Sequence, residues 1–241
     1  MRLIQDSTER TRWLEHCGIA EILPPTALEQ LELCCFERGE SLCTEEDSSP
    51  YLFFILCGRY KLTRLTVAGQ ECLLRFFDAF SLIGELELLY NGPARTNAIA
   101  VEPLICLRLP CNRWRAVLLD HNPFLRFLCG YLGYKTVQRS QNLTLSLSAS
   151  VSQRAASYIL ATARDGLFLD NHLHLAEFLS CSHRQLLRAI AGFCQDGLLR
   201  REPGGGYRIL DAKALRAASG GVYAADPFCY PGLRPGAPSG E

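Results

Sequence analysis

The sequence predicts an α+β fold: a first half built of short strands, then a long helix, then two short helices followed by a two-stranded hairpin. Three observations carry this. Residues 36–109 alternate short apolar runs with turn residues. No proline interrupts the chain between Pro123 and Pro203. The apolar helical face of 173–179 breaks off and resumes at Leu186.

The strands come first. Tyr51-Leu52-Phe53-Phe54-Ile55-Leu56, Lys61-Leu62-Thr63-Arg64-Leu65-Thr66-Val67 and Leu73-Leu74-Arg75-Phe76-Phe77 are runs of strand length, with Gly58 and Ala68-Gly69 supplying the turns between them. Ala98–Val101 and Leu104–Leu109 continue the pattern, Ile105, Leu107 and Leu109 alternating against Leu104, Cys106 and Arg108. After Pro110 the texture changes. Asn112 to Asp120 suits a short helix, and Asn122-Pro123 offers an N-cap residue followed by proline at the first helical position.

The helix starting there carries an apolar stripe of Leu125, Phe127, Leu128, Tyr131 and Leu132. A stripe this apolar does not stand alone in water, which makes the helix a candidate dimer seam. Its second half, Thr136 to Leu147, is more polar. The run Ser146 to Ser152 suits a hinge, because serine side chains compete for helical hydrogen bonds. Beyond it are a helix over about Ser152–Ala163, a break at Asp165-Gly166, and two short helices ending at Gly197. Ser219 to Glu241, rich in Gly, Pro and Ala, reads as a flexible tail.

Composition bounds the function. At 241 residues, 48% hydrophobic and 21% charged, the chain has the balance of a globular protein with room for two cores. Met1 to Trp13 lacks the apolar centre of a signal peptide, and no charge-free apolar run approaches the roughly 20 residues that span a bilayer. A cytoplasmic protein with no membrane partner is expected. Twelve cysteines fall short of disulfide-scaffold density, so most are expected to be plain buried thiols. The formal net charge is zero, so any nucleic-acid site must be local.

Such a site is visible at 173–210. Leu175, Ala176, Phe178 and Leu179 form one helical face; Ser182-His183-Arg184-Gln185 then reads as a capping box, with Ser182 at the N-cap and Gln185 three residues on. Leu186, Leu187 and Ile190 face inward, leaving His183, Arg184, Gln185 and Arg188 on the exposed start of the second helix, where a recognition helix presents its base contacts. Arg pairs with guanine and Gln with adenine in the major groove. Five arginines (184, 188, 200, 201, 208) against three acids (Glu177, Asp196, Glu202) give this segment a local balance of +2. Gly204-Gly205-Gly206, between Leu198-Leu199-Arg200-Arg201 and Tyr207-Arg208-Ile209-Leu210, is the turn of a wing with arginines near phosphate.

With those pieces in order, the chain resembles the catabolite-activator and fumarate-nitrate-reductase regulator (CRP/FNR) superfamily from about Leu28 to Leu210. A phosphate-binding cassette is recognisable as Gly84-Glu85-Leu86, eight residues, then Arg95-Thr96, with Asn91-Gly92-Pro93 turning between. The helix-turn-helix is Leu175 to Arg188, and Gly84-Glu85-Leu86-Glu87-Leu88-Leu89 with Arg184-Gln185-Leu186-Leu187 looks most like the YeiL-type branch.

The resemblance implies a cyclic-nucleotide-binding-type β-roll, a double-stranded jelly roll, over 1–112. A dimerisation helix would follow over 113–149, a winged helix-turn-helix over 150–212, and a flexible tail over 213–241. It implies a transcription regulator, activator or repressor, that binds near-palindromic double-stranded DNA as a homodimer under control of an effector. That effector would be a cyclic nucleotide or other phosphate-bearing small molecule; RNA polymerase is a candidate partner.

In that scheme Arg95 pairs with the ligand phosphate, Thr96 and the amides near Gly84 and Leu86 hydrogen-bond it, and Glu85 holds a ribose hydroxyl. Ser140 reaches toward the base. A guanidinium fork on phosphate and amides at a helix start are sound anion chemistry. Departures are Gln141 where a small hydroxyl residue is usual, Ser180 where glycine is frequent, and His183-Arg184 where the recognition helix commonly opens Arg-Glu. The last removes an acceptor for cytosine and implies a different half-site. The alternative reading of the corner is structural, with Arg95 pairing to Glu85 inside the protein.

Three rival functions remain open. Cys34-Cys35, Cys43, Cys106 and Cys111 suggest a redox or iron-sulfur sensor in which the cassette binds no nucleotide, but there is no Cys-x-x-Cys pair and no N-terminal cluster. No metal site is expected. An enzyme finds no support: Gly-x-x-x-x-Gly-Lys, His-Glu-x-x-His and Gly-x-Ser-x-Gly are absent, and His16, His121, His172, His174 and His183 are scattered. An adaptor of cyclic-nucleotide type without DNA binding is the third.

Overall fold

A computed structural model describes residues 1–46, 51–67, 69, 71–223 and 228–238, with the side chains of 141–147 outside the description. Ala68, assigned above to a turn, lies outside the described residues, as do parts of the expected tail. The chain falls into two compact units. The first holds Met1–Leu62, Phe77–Val137 and Asp226–Glu241; the second holds Thr63–Phe76 and Gln138–Ala225.

The first unit opens with β1 (Arg2–Leu3) and α1 (Ser7–Cys17), whose N-cap Asp6 accepts from the amides of Thr8 and Glu9. α2 (Pro25–Leu28), β2 (Glu32–Phe36), β3 (Ser41–Cys43), β4 (Tyr51–Cys57), β5 (Arg59–Leu65), β6 (Glu71–Asp78) and β7 (Ser81–Ile83) follow. α3 (Glu85–Tyr90), β8 (Asn97–Ala100), β9 (Leu104–Pro110), α4 (Cys111–Leu119) and α5 (Asn122–Ser148) complete the run, with the end of β5, most of β6 and the end of α5 counted in the second unit. The strands form a five-stranded sheet, β1-β2-β9-β4-β7, and a four-stranded sheet, β3-β8-β5-β6. This is the β-roll.

The five-stranded sheet is covered on both faces, which explains why its central strands read as unbroken apolar runs. In β4, Leu52, Phe54 and Leu56 join the core shared with α1, α4 and α5, while Phe53 and Ile55 join the core inside the roll. In β9, Leu107 and Leu109 take the first side and Leu104 and Cys106 the second. The one charge on β9 is satisfied: Arg108 Nε donates to Glu32 Oε2 at 2.7 Å, and its guanidinium lies 4.0 Å over the Tyr51 ring.

Two expectations for this unit fail. The stripe assigned to a dimer seam is used inside the chain: Phe127, Leu128 and Tyr131 are fully buried with Phe124 against the sheet, and the Tyr131 hydroxyl donates to Leu82 O and accepts from Leu82 N. The face of α5 that stays exposed is Arg126, Cys129, Gly130, Gly133 and Val137. The C-terminal stretch is not a bare tail either. Phe228 packs 5.1 Å from Tyr131 and 5.2 Å from Tyr134, and Tyr230 5.3 Å from Phe127. Arg234 N donates to Cys17 O, and Gly236 N to Leu56 O. Backbone passes so close to Gly18 (φ +72) that a Cβ there would lie 2.0 Å from Gly232 O. Gly and Pro content suggested disorder; two aromatic rings supply the burial that orders the segment.

The second unit contains α6 (Val151–Thr162), β10 (Leu167–Phe168), α7 (His172–Phe178), α8 (His183–Gln195), β11 (Leu199–Arg201), β12 (Tyr207–Ile209) and α9 (Ala212–Ser219), with β10-β12-β11 forming a three-stranded sheet. α9 also falls inside the expected tail. Between α5 and α6 the chain breaks at residues 149 and 150, where Ser150 and Gln153 form a capping box. Tyr158 of α6 anchors the core, its hydroxyl donating to Asp170 Oδ2 at 2.8 Å and its ring lying 5.6 Å from Phe76. Among the described residues no helix is long and apolar enough to cross a membrane.

Phe228→Ala is expected to lower the unfolding free energy by about 3 kcal/mol in urea titration, as for other large buried aromatics. A loss below about 0.5 kcal/mol, the range of surface substitutions, would mean the segment contributes nothing to the core.

Candidate functional site

α7 and α8 meet through a Schellman turn. Cys181 N donates to Ala176 O at 3.0 Å and Ser180 N to Glu177 O at 2.9 Å, closing the end of α7. The motif puts Ser180 in the left-handed region, φ +49, where glycine is favoured. Its backbone is therefore not ordinary, and the serine carries local strain.

α8 begins at the capping box read from sequence: Ser182 Oγ accepts from Gln185 N at 3.2 Å and Ser182 N donates to Gln185 Oε1 at 2.9 Å. Leu186, Ala189, Ile190 and Phe193 are buried, whereas Leu187, expected to face inward, is exposed. His183, Arg184, Gln185 and Arg188 are all exposed on the first turns. Arg184 and Arg188, four residues apart, share one face and make no ion pair among the described residues. Gln185 is less available than expected, since its carbonyl is held by the Ser182 amide and hydroxyl.

In the wing, β11 pairs with β12 so that Arg200 lies opposite Arg208 and Arg201 opposite Tyr207. Glu202 accepts from Arg200 and from Arg208, at 3.2 and 3.1 Å, so two of the three wing arginines are engaged internally. Arg201 is left exposed.

The cassette corner lies in the first unit. Gly84 (φ +93) precedes α3 and passes so close to β4 that a Cβ would sit 2.5 Å from Tyr51 O. Glu85 is buried and ion-paired with Lys135 of α5, not with Arg95. The purely structural Arg95–Glu85 pair is therefore not formed. Lys135 Nζ also stands 5.3 Å from the rings of Phe77 and Tyr131. Burial works against its ammonium, but Glu85, Tyr60 and Glu87 together outweigh it and hold the pKa above the ordinary lysine value. Arg95 is exposed and Thr96 and Leu86 are half-buried. Glu87, half-buried beside them, has its pKa raised by desolvation.

Ser140 is exposed on the part of α5 that belongs to the second unit, and the side chain of Gln141 lies outside the described residues. Lys135 was missed in the sequence; its spacing of four from Tyr131, on the buried side of α5, was the available signal.

The cysteines of the redox reading are dispersed. Cys34 and Cys106 face each other across β2 and β9 with sulfurs 3.3 Å apart in the roll core. Cys43 donates to Thr96 O, and burial pushes its thiol up to about 12. Cys111 is likewise pushed up to about 12 by desolvation. No group of three or more His, Cys, Asp or Glu that could hold a metal occurs among the described residues.

Comparison with known proteins agrees with this architecture. Residues 33–121 match the cyclic nucleotide-binding domain family. Over 180 residues, 75% of this chain and 82% of the other, the sequence is 35% identical to the regulatory protein YeiL of Escherichia coli O157:H7. The chain belongs to the CRP/FNR family.

A CRP-like cAMP-activated global transcriptional regulator of Mycobacterium tuberculosis is 24% identical over 84% of this chain and 96% of its own. Among solved structures, a CRP/FNR-family protein from Eubacterium rectale superposes with a TM-score of 0.67 at 15% identity, over 83% of this chain and 97% of that one. A CRP-family transcriptional regulator from Thermus thermophilus gives 0.62 at 17%, over 80% and 100%. In this CRP/FNR chain, Ser180 occupies the left-handed turn between α7 and α8. Ser180→Gly is expected to raise thermal stability by about 0.5–1 kcal/mol, and Ser180→Val to lower it. No change in either would show that the turn is unstrained.

Proposed function

We propose that this CRP/FNR regulator binds near-palindromic DNA as a homodimer through α8, and that a phosphate-bearing effector held at the Gly84–Thr96 corner controls that binding. The observation that carries the reading is the first face of α8: Arg184 and Arg188 project together, exposed and without an ion pair among the described residues, ahead of the buried Leu186, Ile190 and Phe193. A guanidinium fork in the major groove reads guanine, and the amide nitrogen of Gln185 adds a donor beside it, with His183 exposed on the same first turn. Ser182 acts through the cap, fixing where the helix begins.

The dimer seam is assigned to Arg126, Cys129, Gly130, Gly133 and Val137, since the aromatic stripe of α5 is occupied inside the chain. Gly133, around whose missing Cβ nothing lies within 4 Å, lets a second helix approach closely. At the corner, Arg95 supplies the phosphate fork, with Thr96 and the amides of Gly84 and Leu86 as donors. Glu85, already neutralised by Lys135, offers a carboxylate to a hydroxyl without repelling the phosphate. The relatives' names include a cAMP-activated regulator, which makes cyclic AMP the first ligand to try. An effector that favours one orientation of the DNA-reading helices shifts the population toward the binding state by its differential affinity.

Calorimetric titration with cyclic AMP and cyclic GMP tests the corner, and retardation of preferred DNA tests α8. Saturable nucleotide binding that Arg95→Ala removes is expected, together with a loss of about 1–3 kcal/mol at one base position for Arg184→Ala or Arg188→Ala. Unchanged base preference in both variants would take α8 off the DNA. Absence of nucleotide binding would leave the corner as structure and point to another effector.

A further inference from the structure

Beside the base-reading arginines of α8, four donor side chains converge in the second unit from four elements. His172 stands at the start of α7, with its ring 5.5 Å from that of Tyr207 on β12 and 6.5 Å from that of His183 on α8. Arg201 of β11 is the direct register partner of Tyr207, so both side chains lie on one side of the wing. His183 and Arg201 are exposed; His172 and Tyr207 are half-buried. His172 thus stands between Tyr207 and His183, with Arg201 beside Tyr207.

No carboxylate pairs with this group among the described residues. Asp170, two residues before His172, accepts from the Tyr158 hydroxyl. Glu202, next to Arg201, is taken by Arg200 and Arg208. A cluster of imidazoles, guanidinium and phenol without an acid is the inverse of a phosphate: every group is a donor, and two become cations on protonation.

We infer that His172, His183, Arg201 and Tyr207 form a notch for one backbone phosphate of DNA, clamped between the helix-turn-helix and the wing, and that His172 takes up a proton as the phosphate enters. This rests on the DNA-binding reading above but is separable from it, because the notch touches phosphate and Arg184 and Arg188 read bases. Arg201 supplies a guanidinium, Tyr207 a hydroxyl donor, His183 an imidazole donor, and His172 a charge that depends on pH.

The sign follows from the groups around His172. Burial, and after it the charges of His183 and Arg201, hold its pKa below the ordinary histidine value in the free protein. A phosphate brought among these cations reverses the balance and raises it. The bound state then carries more protons than the free state, so DNA affinity rises as pH falls through the bound pKa and levels off below the free one. The gain is at most about tenfold per pH unit for each proton taken up. Lowering pH does nothing to Arg184 or Arg188, so base preference stays constant across the range.

Fluorescence anisotropy of full-length protein on its selected DNA site, between pH 5.5 and 8 at fixed salt, tests this. Wild type is expected to bind several-fold tighter at pH 6 than at pH 8. His172→Gln should flatten most of that slope while keeping base preference, and Arg201→Ala should weaken binding at every pH and lower the salt slope by about one phosphate contact. Arg184→Ala should keep the pH slope and lose base preference. The His172 imidazole followed by NMR should titrate higher in the DNA complex than free. A pH-independent wild type, or a slope that survives His172→Gln, overturns the notch. DNA binding absent at every pH overturns the DNA-binding reading itself.

Discussion

Burial of one face of α5 is the constraint on which the first unit depends. Phe124, Phe127, Leu128 and Tyr131 stand at helical spacing and are all buried in the core beneath the five-stranded sheet, where Phe127 and Tyr131 also meet Phe228, and Phe127 meets Tyr230. The Tyr131 hydroxyl clasps the backbone of Leu82 in β7, and one turn later Lys135 meets Glu85. The position of the cassette glutamate is thus set by the same helix face that closes the core. A helix whose apolar stripe is committed inside its own chain must use a different face to meet a second copy, and the glycines at 130 and 133 lie on the face that remains.

Much of this was legible from residue order. The strands came out within a few residues because runs such as Tyr51–Leu56 have no helical periodicity, and the capping box at Ser182 and Gln185 fixed the start of α8 from four letters. The alternation in β9 sorted Leu107 and Leu109 from Leu104 and Cys106 correctly.

What escaped the sequence was decided by contacts remote in the chain. The C-terminal stretch reads as Gly- and Pro-rich, and only the core shows that Phe228 and Tyr230 have rings to pack against nearly a hundred residues earlier. The α5 stripe was recognised as apolar, but periodicity does not say whether a stripe meets its own sheet or another molecule. Ser180 in the left-handed region and the capture of Arg200 and Arg208 by Glu202 are local, yet they depend on turn geometry and register that residue identity alone leaves undetermined. Pairing of Glu85 with Lys135 rather than Arg95 likewise needed the helix and the corner placed together.

Reading of DNA by α8 is tested most directly by selection of genomic fragments with the purified full-length protein at physiological salt, followed by sequencing. The account requires one enriched near-palindromic motif with half-sites about one helical turn, roughly 10 base pairs, apart, and loss of that enrichment in a variant carrying both Arg184→Ala and Arg188→Ala. Recovery of no sequence above background, with the protein folded, would contradict it.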